Sequence, residues 1–492
     1  MSIPCHYLEV LVVLLGVALL LAEAFFPRED KSILGWAACA GLVAIFVHLF
    51  FATNGTGPEI ERFYSSDTSA RFFKGFALVT TFLVTLMSLD YRKVLARFTD
   101  HPGSEQGTGE FYALPLFACA GMMWMASAKD LVMAFVALEL TTVTFYVLVA
   151  YMRRNVGSLE AGVKYLILGA LSTGFLVYGI SWIYGITGSL QLEDIKILLS
   201  PESIAQTGLD KNTTPLLFGI SLVVISIAFK VGAAPMHLWI PDVYQGAPTP
   251  ITTFLSVGSK AAGFIVGMRI LEPFLISELT RDKTIFILMV IAAVTLIIGN
   301  LAAIAQTNLK RLLAYSSVAN AGFLILALAA WQSGSENQPS TYQIVGFYLA
   351  TYLIMTIAAM FALQAISQST GSENLKSLQG LASSQPVLAW ILTIIFAALA
   401  GLPLTVGFYG KFYVFSAAVK SELWFAIIAG FIGVAAGFYY YFKIIRLMFW
   451  SPPTNGPEIE LSNTTKAVLY TATFLIIILG FVPNPIGALV GF

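Results

Sequence analysis

Charge is what this sequence has least of. Of its 492 residues, 11% are Asp, Glu, Lys or Arg, with 27 acidic and 27 basic side chains; a soluble domain carries about 25%. A formal net charge of zero leaves no basic field for nucleic acid. Cysteine is scarce too. Cys5, Cys39 and Cys119 lie far apart with no CxxC, which argues against iron–sulfur, zinc and disulfide frameworks. The four histidines, His6, His48, His101 and His237, show no metal or haem spacing. Neither a GxGxxG after a strand nor a Walker A loop occurs. The chain is therefore expected to hold no redox cofactor, nucleotide or metal of its own.

What it has in excess is apolar sequence: 58% of residues are hydrophobic and the mean hydropathy is +0.81. Apolar runs recur along the whole chain at about the 20 residues needed to cross a ~30 Å hydrocarbon core. This predicts an all-α polytopic membrane protein. Charged, Pro and Gly punctuation divides it into about fourteen spans, near 8–26, 33–53, 72–90, 110–127, 130–152, 161–185, 215–240, 250–275, 284–304, 311–331, 342–366, 386–418, 422–448 and 466–490. Ala22-Glu23-Ala24 mimics a signal-peptidase site, but no basic region precedes it and Glu9 stands where positive charge belongs. Span 1 is therefore expected to be retained. Loops after odd-numbered spans hold about 13 Lys/Arg and the others about 10, a bias that places both termini outside the cytoplasm.

Two spans are not simple helices. Span 7 is interrupted at Gly232-Ala-Ala-Pro235 and span 12 at Gly401-Leu402-Pro403. Broken helices free backbone groups that must face protein or a wet cavity. One break in each half of a chain is a pattern of inverted-repeat transporters, although a proline kink in a packed bundle gives the same sequence.

The ionisable residues inside spans carry most of the information. Glu139 lies near the middle of span 5, Lys230 in span 7, Lys260 in span 8, and Lys411 just after the break in span 12. Lys164, in the first turns of span 6, is shallow enough to snorkel. Three central lysines facing lipid would cost on the order of 8–10 kcal/mol, comparable with the net stability of a domain. They must face the bundle interior, a partner or water. Glu139 is the one deep carboxylate and the natural counter-ion for Lys230. A lysine, unlike arginine, can lose its proton when buried, which is the chemistry of a proton relay. His237, seven residues after Lys230, either extends such a relay or caps the break.

The segments FKVGAAPMHLWIPDVYQGAPTPITTFLSVGSK, QTNLKRLLAYSSVANAGF and AGLPLTVGFYGKFYVF resemble the antiporter-like membrane subunits of proton-pumping NADH:quinone oxidoreductase (respiratory complex I), most closely the subunit N type. The resemblance runs over roughly 110–450. It implies a fourteen-helix fold with two inverted five-helix repeats. The segments would be 1–109, a three-helix start; 110–275 and 284–448, the repeats; and 449–492, a C-terminal helix. It implies that Glu139 pairs with Lys230, that Lys260 carries the central relay and Lys411 the terminal site, and that Lys164 matches a lysine often found in span 6. It also implies a multi-pass protein of the bacterial inner membrane, with neighbouring membrane subunits as partners. NADH, FMN, iron–sulfur clusters and quinone would sit in those or other subunits.

Two details point to the N type: lysine rather than glutamate at position 411, and a chain that stops just after span 14 without a lateral helix. Two departures stand out. Asn320 occupies a place where the family often has histidine, which puts a titratable group there in doubt. Leu404 replaces the second proline of GLPP and is expected to soften the span-12 break. A stand-alone cation/proton antiporter shares the fold, but needs oxygen ligands for a desolvated cation, and only Glu139 offers a deep carboxylate. A non-conducting structural subunit has no use for central lysines.

Overall fold

The computed structural model describes the chain except residues 1–3, 26–29, 54–56, 99–101, 106, 335–337, 453–457 and 492; His101 lies outside the described residues. The principal helices are α1 (Tyr7–Phe25), α2 (Ser32–Phe51), α3 (Thr68–Leu95), α4 (Glu110–Ser127), α5 (Leu131–Val149), α6 (Val156–Thr187), α7 (Thr214–Val231), the short α8 (Ile240–Gly246), and α9 (Thr249–Ile276). They continue with α10 (Arg281–Ile304), α11 (Leu309–Ala329), α12 (Thr341–Thr370), α13 (Pro386–Ala400), α14 (Val406–Lys420), α15 (Trp424–Trp450) and α16 (Asn463–Phe481). Among the described residues, strand-like pairing is limited to isolated bridges.

Twelve of these helices are long and apolar enough to cross a membrane. The other two spans read from sequence are α4, which carries Glu110 and Pro115, and the broken pair α13/α14. Span 7 ends earlier than expected, at Val231, because Gly232 adopts a left-handed conformation (φ 75°) that ends the helix. Span 14 likewise stops at Phe481, ahead of Pro483, and a separate short helix follows over Asn484–Val490.

Polar residues at the span ends start the helices. Asp67 and Asp130 cap α3 and α5 by accepting from Ala70 N (2.7 Å) and Val132 N (2.8 Å), and Ser340 with Gln343 forms a capping box on α12. Burial sorts the helices into rim and centre. The most apolar stretch of α9 and of α11 is 94% buried, against 28% in α1 and α6. The central helices are thus those that carry Lys260 and the Ser316–Asn320 group. Helices α10 and α11 approach closely because small residues meet: a Cβ on Gly299 would lie 2.7 Å from Ala319 N.

Contacts between span ends assign the faces. The pairs Pro4–Thr53, Tyr64–Ala128 and Asp130–Gln191 lie on one face. Lys196–Glu272, Tyr342–Glu272 and Gln343–Gly491 extend that face to the C-terminal end. Asn308–Asn374 lies on the other. Both ends of the described chain therefore share one face, as an even number of crossings requires.

The candidate proton-relay site

The two helix breaks are built alike. At the first, Gly232 N donates to Ala228 O and Phe229 O, and Ala233 N donates back to Ala228 O. At the second, Gly401 N donates to Ala397 O and Ala398 O, and Leu402 N to Ala397 O. Each is a left-handed glycine stop that satisfies the last carbonyls of a half-helix. A lysine sits beside each. Lys230 lies in the last turn of α7. Lys411, on α14, reaches back so that its Nζ donates to Leu399 O (3.0 Å) and Ala400 O (2.7 Å) at the end of α13. A helix C-terminus carries partial negative charge, so both ammonium groups stand where the broken helices favour a cation.

Lys230 is buried and donates to Thr142 Oγ1 at 2.8 Å. The Thr142 hydroxyl in turn donates a hydrogen bond to Leu138 O (2.7 Å). Glu139, one turn away on the same helix, is half-buried and accepts from Thr173 Oγ1 on α6 at 2.8 Å. No ion pair joins Glu139 to Lys230 among the described residues. The direct pairing expected from the sequence is replaced by Thr142 on the lysine side and Thr173 on the carboxylate side, because these hydroxyls meet each charge first.

A π-helical turn, Leu255–Ser259, immediately precedes Lys260; such turns often mark functional positions. Lys260 is buried and donates to the backbone oxygen of Ser317 and to its Oγ at 2.6 Å. Its Nζ lies 5.7 Å from the Tyr352 ring centroid, and Tyr244 on α8 shares Ser317 Oγ at 3.3 Å. From the neighbouring Ser316 a polar track continues. Ser316 Oγ bonds Tyr441 on α15, Asn320 Nδ2 donates to Ser316 O at 2.8 Å, and Tyr348 donates to Asn320 Oδ1 at 2.7 Å. The Tyr348 ring faces Phe323, over which Lys411 Nζ sits at 5.4 Å. Asn320 thus orients hydroxyls between two lysines, but an amide carries no titratable proton.

Lys164 belongs elsewhere. It lies at the face opposite the chain ends, 41% exposed, paired with Glu160 (2.7 Å) and Asp242 (2.8 Å). Asp242 also binds Arg311 at 2.8 Å, and these four residues line an open cleft of about 380 Å³. Burial works against the Asp242 carboxylate. The hydrogen bonds from Lys164 and Arg311 outweigh it and hold its pKa below the ordinary value. His237 is buried between α7 and α8, its Nδ1 without a partner among the described residues, and no hydrogen bond ties it to Lys230.

Sequence reading gave no site role to five charged residues. Asp242, two residues past the end of span 7, and Arg311, counted only as loop charge, complete the Lys164 cluster. Lys310 is buried, donating to Ala247 O at 2.8 Å and pairing with Glu373 at 3.4 Å. Lys74 and Glu9, each near a span end, form a fully buried ion pair at 2.9 Å. Among the described residues, no group of three or more His, Cys, Asp or Glu side chains is placed to hold a metal ion.

Residues 128–437 match the family described as NADH:quinone oxidoreductase/Mrp antiporter, TM. A protein of Desulfitobacterium hafniense named NADH-quinone oxidoreductase subunit N is 37% identical, covering 97% of this chain and 95% of that one. A chain of respiratory complex I from Thermus thermophilus is 29% identical, with a TM-score of 0.78 over 98% of both chains. A chain of the Mrp complex from Dietzia sp. shares the fold (TM-score 0.80, covering 99% of this chain and 96% of that one) at 18% identity.

Proposed function

Because the chain belongs to the antiporter-like membrane subunits of the NADH:quinone oxidoreductase/Mrp antiporter family, within its subunit N group, we propose that it moves protons across the membrane through Glu139, Lys164, Lys230, Lys260 and Lys411, with His237 as an accessory group. The observation that carries this reading is chemical. Lys230, Lys260 and Lys411 meet hydroxyl and carbonyl oxygens rather than carboxylates. Such partners hold an ammonium in place and still allow its proton to leave.

The placement supports the following steps. A proton arriving at the Glu160–Lys164–Asp242 cleft passes inward. A change in charge at Glu139 alters the field on Lys230 across Thr142. Lys230 gives its proton toward Lys260, the Ser316–Asn320–Tyr348 track orients the transfer toward Lys411, and Lys411 releases a proton at the second break. The drive comes from redox chemistry in partner subunits, where NADH, FMN, iron–sulfur clusters and quinone bind. The protein sits in a bacterial inner membrane beside other membrane subunits, with no nucleic-acid partner. K230A and K411A are expected to abolish most proton translocation in membrane vesicles while the complex stays assembled. Unchanged proton-to-electron stoichiometry in both would end this reading.

We place both chain ends outside the cytoplasm, on the weight of Arg92, Lys93, Arg97, Arg153, Arg154, Lys310 and Arg311 at the opposite face. Alkaline phosphatase fused to the C-terminus should therefore be active; an inactive fusion with a fluorescent C-terminal GFP reverses the orientation.

A further inference from the structure

Outside the lysine series the chain holds a second enclosed set of ionisable groups. Glu9, in the first turn of α1, and Lys74, in the second turn of α3, have no exposed side-chain surface and pair at 2.9 Å. Tyr64, just ahead of α3, donates to Glu9 Oε1 at 2.9 Å and accepts from Lys74 Nζ. Cys5 Sγ lies 3.4 Å from the same Nζ. The segment is locked to α4 through Ser65 N to Ser127 O at 2.8 Å and the Tyr64–Ala128 bridge. None of α1, α3 or the segment between α2 and α3 contributes to the lysine series.

A purely mechanical role does not account for this composition. Helix α1 is a rim helix, and an apolar pair would join it to α3 without the cost of desolvating two ions. Moreover, the cluster keeps polar atoms in reserve. Glu9 Oε2 and Ser127 Oγ are buried with no hydrogen-bond partner among the described residues, as is Nδ1 of the half-exposed His6. The His6 ring stands 6.1 Å from that of Tyr64, between the cluster and the face that carries the chain ends. Burial and the Lys74 charge hold His6 below the ordinary imidazole value, so it is a neutral acceptor near pH 7. The other titratable groups facing the pair are Cys5, Tyr64 and, on α4, Cys119.

We propose that Glu9, Lys74 and Tyr64 form a proton-exchange site in the N-terminal three-helix segment, reached past His6 and separate from the lysine series. On the acid side one proton binds at Glu9 Oε2, the carboxylate oxygen that lacks a partner among the described residues, while Lys74 keeps its own proton; as pH rises that proton on Glu9 leaves past His6. The occupancy changes by one proton, and Tyr64 and Cys5 stay in place to hold the Lys74 ammonium. Tyr64, bonded to both groups, keeps them in register.

Infrared difference spectroscopy after a pH jump on the complete membrane complex tests this without reference to pumping. Its result is therefore independent of the K230A and K411A outcomes. The wild type should show a protonated-carboxyl stretch that is lost in E9Q and in the double variant E9Q/K74M. H6N should slow its appearance, and Y64F, which keeps both charges, should shift it. E9Q strands a buried lysine; the double variant removes both charges and guards against simple misfolding. Identical difference spectra for wild type and E9Q/K74M overturn the proposal. So does a double variant that fails to assemble together with a Y64F band at the wild-type position, since both then describe a structural pair.

Discussion

A lysine ammonium has three N–H donors, and away from water each must find an oxygen or a ring face. The central lysines meet this demand to different degrees and with different partners. Lys230 uses Thr142, Lys260 uses both oxygens of Ser317 and the Tyr352 ring, and Lys411 uses two carbonyls freed by a helix break. Their positions were legible in the sequence because a charge within an apolar run stands out. Their partners were not, since Thr142 and Ser317 are ordinary bundle polar groups until a fold brings them opposite a lysine. Leu404 is the converse case, a departure visible in sequence whose consequence is a backbone fact. Its φ is +70°, a region proline cannot enter because its ring fixes φ near −65°. Its carbonyl also abuts α16: a Cβ on Gly480 would lie 2.2 Å from Leu404 O. The break therefore takes a backbone form that a proline at 404 could not adopt, and its turn packs against α16. L404P should lower thermal stability by more than about 1 kcal/mol, whereas L404G, free of the left-handed cost, should match or exceed the wild type. Thermal unfolding of the detergent-solubilised complex reads both. L404P at wild-type stability would mean that the linker can adopt a second backbone.

At the scale of elements, the breaks matter because they turn a continuous hydrogen-bonded rod into two half-helices with a terminus inside the bundle. Gly232 and Gly401 are required there. Both adopt left-handed φ, and a Cβ on Gly232 would lie 1.9 Å from Ile240 Cδ1. The same glycine-plus-proline signature marked both breaks in the sequence. The sequence also places Lys230 before its break and Lys411 after its own; what it could not convey is which carbonyl end each ammonium meets. The first lysine is carried by the half-helix whose carbonyl end it shares; the second reaches across the gap to the other half-helix. Hydropathy resolved the long helices well, because twelve of them are apolar along their length. It was weakest for spans 7 and 14, where a glycine or proline ends the helix while the apolar composition runs on. The π-turn before Lys260 left no trace in the sequence, since a single widened turn changes neither composition nor period.

Over the whole molecule, the charged groups divide into an enclosed interior series and a surface network that joins distant parts of the chain. Lys164 on α6, Asp242 on α8 and Arg311 on α11 meet at one face, tying the region read as the first repeat to the region read as the second. Asp242 is the shared acceptor, so the junction depends on its ionisation. Its pKa is held below the ordinary carboxylate value: burial opposes the charge, and the Lys164 and Arg311 hydrogen bonds more than compensate. Lys164 is exposed enough that no large stabilisation follows from the contact. The direction nevertheless fixes where the junction fails. Because the folded form binds the proton less readily than the unfolded chain, its contribution is complete above the unfolded value of about 3.9. It is lost as pH falls through the lower, folded value. Near neutral pH the junction therefore stays closed and does not act as a switch in the working range. Amide exchange over Ile240–Gly246, corrected for intrinsic rates, should stay slow from neutrality down through the ordinary carboxylate range and rise only below it. D242N should exchange faster at every pH and lack the acid limb. An acid limb retained in D242N, or one near neutrality in the wild type, would transfer the control of α8 from Asp242 to another group.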